Sequence, residues 1–150
     1  MSNIIATNRK AYRDYEVLES LECGIELKGS EVKSLRAAKI NLNDSFARFE
    51  GDEIFLYNAH ISHYAQASYL NVDPDRQRKL LLHKKQLARI SGKLTQKGLT
   101  LIPLKIYFSE RGFVKIDLAL CKGKKLYDRR RDIKERELKR QLGRTIRKRS

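Results

Sequence analysis

The sequence predicts a mostly β protein with short helices and a flexible basic C-terminal tail. Strand-like segments outnumber helical ones, and several are joined as hairpins by short turns that contain Gly. The chain shows no internal repeat and no β-α-β alternation, so a parallel sheet is not indicated. Antiparallel hairpins with short helices favour a small β-barrel of the OB type, ahead of other α+β sheets.

The charge of the chain is concentrated at one end. Residues 122–150 hold 14 Lys and Arg against 4 Asp and Glu, a net charge of +10, which leaves +5 of the total of +15 for residues 1–121. We therefore divide the 150 residues into a barrel over 1–121 and a basic tail over 122–150.

The first elements are a strand and a short helix. In YEVLESLECGIEL, residues 15–27, β-branched and aliphatic residues roughly alternate with acids, which predicts a strand. GSEVKSLRAAKIN follows it. Ser30 is suited to be the N-cap of a helix, Glu31 suits its first turn, and Val32 and Leu35 have helical spacing.

The centre of the chain predicts a β-hairpin followed by a loop. Two aromatic-rich runs within residues 44–62 flank the turn Glu50-Gly51-Asp52-Glu53. Residues 69–79 contain Asp73-Pro74-Asp75 and predict a polar loop.

The second half predicts a helix and two more strands. Residues 78–98 place apolar side chains near one helical face, with Gly98 at the end; they are Leu80, Leu81, Leu87, Ile90 and Leu94. Residues 99–121 predict two strands around Glu110-Arg111-Gly112. Pro103 indicates that the first of these strands lies at an edge or contains a bulge.

Composition limits the partners and the compartment. A pI near 10 with clustered basic charge predicts a polyanion as partner, either nucleic acid or an anionic membrane surface. No apolar run approaches the ~20 residues of a membrane span, and the N-terminus lacks the apolar core of a signal peptide, so we expect a cytosolic protein. There Cys23 and Cys121, which form no CxxC pair, are expected to be reduced and buried.

Catalytic and metal-binding motifs are missing from the sequence. It contains no GxSxG, GxxxxGK[ST], HExxH or GxGxxG, and most carboxylates have Lys or Arg nearby in sequence, as solvated ion pairs do. His60 and His63 form HxxH at a predicted strand end, where a spacing of three points two rings to opposite faces. We therefore predict no enzyme activity, no metal site and no cofactor.

Aromatic residues of the hairpin have two interpretations. Phe46, Phe49, Phe55 and Tyr57 are interleaved with Arg48 and could stack on bases, although core packing is expected for most of them. Alternation in the last strand puts Lys115 on the face opposite its apolar neighbours, toward water or RNA.

The tail predicts a conditional helix. Leu138, Leu142 and Ile146 recur every four residues, while Gly143 and like-charge repulsion oppose a helix. A solubilising tail needs no apolar stripe, so we expect an arm that becomes helical over residues 131–149 when phosphates neutralise its charge.

Four separated motifs resemble the SmpB family, the SsrA-binding proteins of bacteria. They are NRKAYRDYEV, GIELKGSEVKSLR, RKLLLHKKQL and CKGKKLYDRRRDIKERE, spread from Asn8 to about Glu137. The resemblance implies an OB-type barrel with packed helices and a tail that is disordered when free and helical on the ribosome. It also implies a cytoplasmic, monomeric, non-enzymatic protein of trans-translation.

The resemblance implies a function and partners. Such a protein binds the tRNA-like domain of tmRNA and delivers it to stalled ribosomes, where the tail occupies the vacant mRNA channel near the decoding centre. The nascent peptide is then tagged for degradation and the ribosome is rescued. Partners are tmRNA and small-subunit rRNA, with elongation factor Tu and alanyl-tRNA synthetase acting indirectly through tmRNA.

Matching motifs also carry over candidate site residues. Those expected to contact tmRNA are Glu22, Leu81, His83, Lys115, Lys122, Gly123, Lys124 and Lys125. Those expected in the tail at the decoding centre are Tyr127, Asp128, Arg129, Arg130, Ile133, Leu138 and Ile146. Tyr127 and His83 stand where some members have His and Asn, respectively.

Two rival hypotheses remain. A structural rRNA-binding protein would co-purify stoichiometrically with ribosomes and show no preference for a tRNA-like RNA. A small basic nuclease using His60, His63 or His83 would cleave RNA and lose that activity on substitution of the histidine by Ala.

Overall fold

The computed structural model describes residues 3–63, 72–95, 98–124 and 134–142. Strands of the body are β1 (Asn3–Thr7), β2 (Tyr15–Ile25), β3 (Ile40–Asn41), β4 (Phe46–Glu50), β5 (Glu53–Tyr57), β6 (His60–Ile61), β7 (Arg78–Leu81), β8 (Leu99–Phe108) and β9 (Val114–Gly123). Helices of the body are α1 (Arg9–Asp14), α2 (Gly29–Arg36) and α3 (Lys84–Leu94). A further helix spans residues 134–142.

The main sheet closes on itself. Its strand order is β1-β8-β4-β5-β7-β2-β9, and β8 also pairs with β9, so the last six strands of that order form a closed antiparallel ring. β1 extends the sheet from β8, and β3 pairs with β6 in a separate two-stranded sheet. The predicted mostly β fold with an antiparallel barrel and short helices is confirmed.

Inward-facing side chains of the ring form the main core. Ile54, Leu101, Ile106, Ile116 and Leu118 have no exposed surface. They come from three different strands, and period-2 alternation in each strand sends the neighbouring side chains outward.

A second, smaller apolar cluster lies between α1 and the sheet. Ala11 of α1 belongs to a cluster with Ile102, Leu104, Ala119 and Cys121 of β8 and β9. The buried side chain of Asn8 fixes this packing: its amide donates to Leu42 O at 3.2 Å and Pro103 O at 3.0 Å, and its Oδ1 accepts from Ala11 N at 3.1 Å. Cys23 and Cys121 are both buried and free, as expected.

A buried ion pair joins α2 to β7. Glu31 accepts from Arg78 Nε and Arg76 Nη2, each at 2.5 Å. Arg78 has no exposed surface, and its other nitrogens donate to Ala59 O at 2.7 Å and Pro74 O at 3.0 Å. The guanidinium therefore connects the helix, the segment after β5 and the loop before β7.

Two local predictions need correction. The N-cap of α2 is Lys28 and not Ser30, and Glu31 accepts from the Lys28 backbone nitrogen at 2.9 Å. The helix predicted over 78–98 starts only at Lys84 and ends at Leu94, before Gly98, because residues 78–81 form β7 between β2 and β5.

The central proline lies at a bulge and not at an edge. Pro103 sits in β8, which pairs with β1, β4 and β9, and the β8–β9 register shifts between Pro103 and Lys105. Pro103 has no backbone N–H to donate, and it lies where the hydrogen bonds between β8 and β9 are already interrupted by the bulge.

Candidate nucleic-acid interface

One row of outward-facing residues crosses five strands of the main sheet. Gly24 of β2 is opposite Leu81 of β7 on one side and Lys115 of β9 on the other. Lys115 is opposite Tyr107 of β8, which is opposite Ile4 of β1. Since the sequence neighbours of these residues on β7, β2, β8 and β9 include buried core positions, the row lies on the outside of the barrel.

Gly24 lets Leu81 lie close to β2. A Cβ atom on Gly24 would be 3.3 Å from Leu81 Cβ, closer than side chains normally approach. Leu81 remains 47% exposed, so it presents an apolar surface beside the glycine.

An adjacent row adds charged groups. Asp117 of β9 is opposite both Glu22 of β2 and Lys105 of β8. The Tyr107 hydroxyl donates a hydrogen bond to Glu22 Oε2 and thereby links the two rows. Burial, followed by that hydrogen bond and the charge of Glu22, raises the pKa of the Tyr107 phenol further above neutral pH.

A cavity of about 820 Å³ opens over these two rows. Its lining includes Glu22, Tyr107 and Lys115 from the sheet, and Arg111 and Phe113 from the β8–β9 connection. Phe113 is 63% exposed. Cationic, acidic and aromatic groups thus converge on one concave surface, as at ligand sites.

The residues predicted to bind RNA fall into two groups. Glu22, Leu81 and Lys115 lie together on the rows described above. Lys122 and Gly123 lie at the other end of β9, about 23 Å from Lys115 at ~3.3 Å per residue.

His83 and Lys124 flank these groups. His83 is the N-cap of α3, two residues after β7, and its backbone nitrogen donates to Gln86 Oε1 at 3.1 Å. Lys124 continues the second group: its backbone nitrogen donates to Asp14 O at 2.9 Å and its Nζ to Tyr12 O at 3.5 Å.

Sequence reasoning missed several side chains of the cavity. Tyr107 and Lys105 were assigned only to a strand, and Arg111 and Phe113 only to a turn and its flank. Their contribution depends on the register between strands, which places Tyr107 opposite Lys115. The periodicity of a single strand does not predict that register.

The aromatic hairpin presents a second outward surface. Phe46 and Tyr57 stack with ring centroids 5.4 Å apart, and the Arg48 guanidinium lies 4.5 Å from the Tyr57 centroid. Core packing, expected for most of these rings, holds for Phe46 and Phe49, which contact the two apolar clusters. Phe55 and Tyr57 belong to neither cluster, because their strand neighbours Ile54 and Leu56 occupy the inward positions.

Part of the predicted tail site lies on the helix at 134–142. Leu138 and Leu142 of that helix are 57% and 56% exposed. The other tail candidates lie outside the described residues, as does Lys125; they are Tyr127, Asp128, Arg129, Arg130, Ile133 and Ile146.

The HxxH histidines have separate partners. His60 Nδ1 lies 3.0 Å from Asp75 Oδ1, and His63 Nε2 lies 3.1 Å from Val72 O. Within residues 3–63, 72–95, 98–124 and 134–142, no three His, Cys, Asp or Glu side chains are grouped as metal ligands.

Comparison with known proteins identifies the family. The family model described as SmpB protein matches residues 5–148, nearly the whole chain. This chain belongs to the SmpB protein family. The resemblance inferred from the four motifs is thereby confirmed.

Relatives in the SmpB family align over most of their own length. An SsrA-binding protein of Caldicellulosiruptor bescii is 60% identical over 134 residues, covering 89% of this chain and 84% of that protein. One from Thermus thermophilus is 56% identical over 138 residues, covering 92% and 96%. One from Carboxydothermus hydrogenoformans is 52% identical over 149 residues, covering 99% of both.

A solved structure of an SmpB relative has the same fold. The structure described as "tmRNA-SmpB: a journey to the center of the bacterial ribosome" matches with a TM-score of 0.69 and 60% identity, over 81% of this chain and 85% of that one. None of the helices in the described part of this chain is long and apolar enough to cross a membrane.

Proposed function

We propose that this protein is the tmRNA-binding factor of trans-translation. It binds the tRNA-like domain of tmRNA through the barrel and accompanies that RNA to stalled ribosomes, so that the nascent peptide is tagged and the ribosome is released. The observation that carries the proposal is the match to the SmpB family over residues 5–148, together with 60% identity to a chain from a structure described as tmRNA-SmpB in the ribosome.

The outer-face rows supply the tmRNA contact. Glu22 and Lys115 line one cavity, and exposed Leu81 lies in the same row as Lys115, on the other side of Gly24. Exposed Lys122 near the base of the tail supplies positive charge for phosphates. Partners are tmRNA and small-subunit rRNA, with elongation factor Tu and alanyl-tRNA synthetase reached through tmRNA. The protein acts in the cytoplasm as an RNA-binding factor and not as a catalyst.

The tail is the second working part. Its helix at 134–142 carries exposed Leu138 and Leu142 among basic side chains, an arrangement that fits a narrow track walled by RNA. The part of the tail that follows β9 and Lys124 would extend into an mRNA channel only when no message occupies it, which would explain selectivity for stalled ribosomes.

A gel shift with the tRNA-like domain tests the barrel contact. Glu22→Ala raises the net charge by one unit, so a purely electrostatic surface would bind RNA more tightly. We expect weaker binding, because Glu22 acts as a hydrogen-bond acceptor. Glu26→Ala removes an exposed acid just after the same strand and is the matched control, with affinity expected to be unchanged. Tighter binding by Glu22→Ala would contradict the assignment.

Peptide tagging on a truncated mRNA tests the tail. A chain ending after Asp128 keeps every strand of the barrel and should bind the tRNA-like domain nearly as well as the full chain. It should fail to tag peptides in a reconstituted translation reaction. Full tagging by the shortened chain would rule out the proposed role of the tail.

A further inference from the structure

The cavity over Glu22 contains the three parts of a nucleotide site: an aromatic ring, cations and directed acceptors. Phe113 supplies an exposed aromatic ring, which can stack on a base. The loop fixes the backbone that carries this ring: Ser109 N donates to Phe113 O at 2.8 Å, and Phe113 N donates to Ser109 Oγ at 3.2 Å. Gly112 makes this tight turn possible with a φ of +85°.

Positive and negative side chains at the cavity are equal in number, which argues against a site that binds phosphate by charge alone. Three cations line it (Lys105, Arg111 and Lys115), and so do three acids (Glu22, Glu110 and Asp117). No ion pair joins those three cations to another described residue. With no net charge, the site must discriminate through directed donors and acceptors, as base recognition does.

Glu22 offers the acceptors that a guanine requires. An ionised carboxylate has two oxygens and about four lone-pair positions, and the Tyr107 hydroxyl uses one of them on Oε2. Both oxygens therefore remain able to accept. Guanine is the base whose Watson–Crick edge shows two adjacent donors, N1–H and N2–H₂, whereas each of the other bases places an acceptor beside its donor.

We infer that this cavity binds one unpaired guanine of the RNA, with Glu22 accepting from its N1 and N2 donors, Phe113 stacking on its face and Tyr107 holding Glu22 in position. The inference rests on the proposed function, because it names the base read by the same surface. The volume of about 820 Å³ is in the range of ~300–1,000 Å³ for small-molecule pockets, so a nucleotide fits.

Tyr107 is a positioning residue in this arrangement. Its side chain is 8% exposed and packs in the sheet, so only its hydroxyl reaches the cavity carboxylate. Tyr107→Phe removes that hydroxyl and keeps the ring. Without that hydrogen bond the Glu22 side chain can adopt other rotamers. Its two oxygens are then no longer positioned to accept from N1 and N2 of a guanine.

Titration of the full chain with GMP and IMP, followed by NMR of backbone amides, tests the inference. IMP differs from GMP only by lacking the N2 amino group, so charge and stacking are matched. We expect GMP to bind roughly 10- to 150-fold more tightly than IMP, the factor for one hydrogen bond to a charged group, because IMP keeps the N1 donor and loses only N2. The largest shifts should be at Phe113 and Lys115. Glu22→Gln and Tyr107→Phe should both reduce this ratio severalfold, whereas Glu53→Gln, on a different part of the ring, should preserve it. Equal binding of GMP, IMP and AMP, or binding of none of them, overturns the inference.

Inosine substitution in the tRNA-like domain separates this inference from the proposed function. Each guanine of the domain is replaced in turn by inosine. We expect one of these replacements to weaken binding to the wild-type chain but to have little further effect on binding to Glu22→Gln. If the domain binds but no guanine shows this dependence, the guanine pocket is wrong and the proposed function stands. If the domain does not bind at all, the proposed function itself fails.

Discussion

Glu31→Gln tests whether the buried ion pair holds the barrel and α2 together. Glu31 is 3% exposed and accepts hydrogen bonds from Arg76, Arg78 and the Lys28 backbone nitrogen. Gln keeps one acceptor oxygen but sets an amide donor against guanidinium donors, and it leaves the fully buried Arg78 charge uncompensated. Removal of one partner of a buried pair costs ~3–5 kcal/mol, a large part of the ~5–15 kcal/mol that stabilises a domain.

Urea unfolding and thermal unfolding of the full chain measure this loss directly. We expect the free energy of unfolding to fall by ~3–5 kcal/mol and the Tm by roughly 10–20 °C for a body of this size. The matched control is Glu53→Gln, which breaks an exposed pair with Lys79 at 2.9 Å and should cost less than about 1 kcal/mol. A loss for Glu31→Gln no larger than the control's would show that the buried ion pair does not stabilise the fold.

The same pair predicts a pH dependence. Burial would raise the pKa of Glu31, but hydrogen bonds from Arg76, Lys28 and Arg78 outweigh it and lower that pKa below the ordinary 4.5. A depressed folded-state pKa gives stability that is present above the unfolded pKa and is lost as pH falls through the folded one. Wild type should therefore lose stability below pH 4.5 more steeply than Glu31→Gln does.

Three further predictions follow from separate features. Lys122→Ala should reduce the slope of log K for RNA binding against log salt concentration by roughly 0.7–0.9, since exposed Lys122 acts by counterion release. An unchanged slope with weaker affinity would indicate a structural role for Lys122. Leu138→Pro, costing ~3 kcal/mol or more in a helix, should abolish tagging but not RNA binding in a gel shift, whereas normal tagging would leave the tail a flexible polycation. Burial raises the pKa of Cys23 to about 12 and that of Cys121 to about 11. Neither thiol should therefore react with iodoacetamide at about pH 8 until the chain is unfolded. Rapid labelling of the folded protein would contradict their burial.

Local patterns in the sequence were sufficient for most of the barrel. The β4–β5 hairpin was predictable because Gly51, with a φ of +63°, lies in a turn cluster between two aromatic-rich runs. The start of α3 was not predictable, because the apolar run Leu80–Leu82 suits either a helix or a buried strand. Pairing of β7 with β2 and β5 decides between them, and that pairing is a long-range property.

The candidate site was predictable only in part for the same reason. Glu22 and Leu81 came from the family resemblance, and Lys115 came both from it and from alternation in its strand, whereas Tyr107 had no signal of its own. It is 85 positions from Glu22, and a bulge at Pro103 shifts the register of its strand. A single sequence contains no information on which outward residues of distant strands become neighbours.

Sequencing of the RNAs that co-purify with the tagged full-length protein distinguishes a tmRNA-binding factor from a structural ribosomal protein. We expect one tRNA-like RNA to dominate, and we expect Glu22→Ala to deplete it while Glu26→Ala does not. Recovery of bulk rRNA alone, in stoichiometric amounts and with no tRNA-like species enriched, would rule out a tmRNA-binding factor and support a structural ribosomal protein.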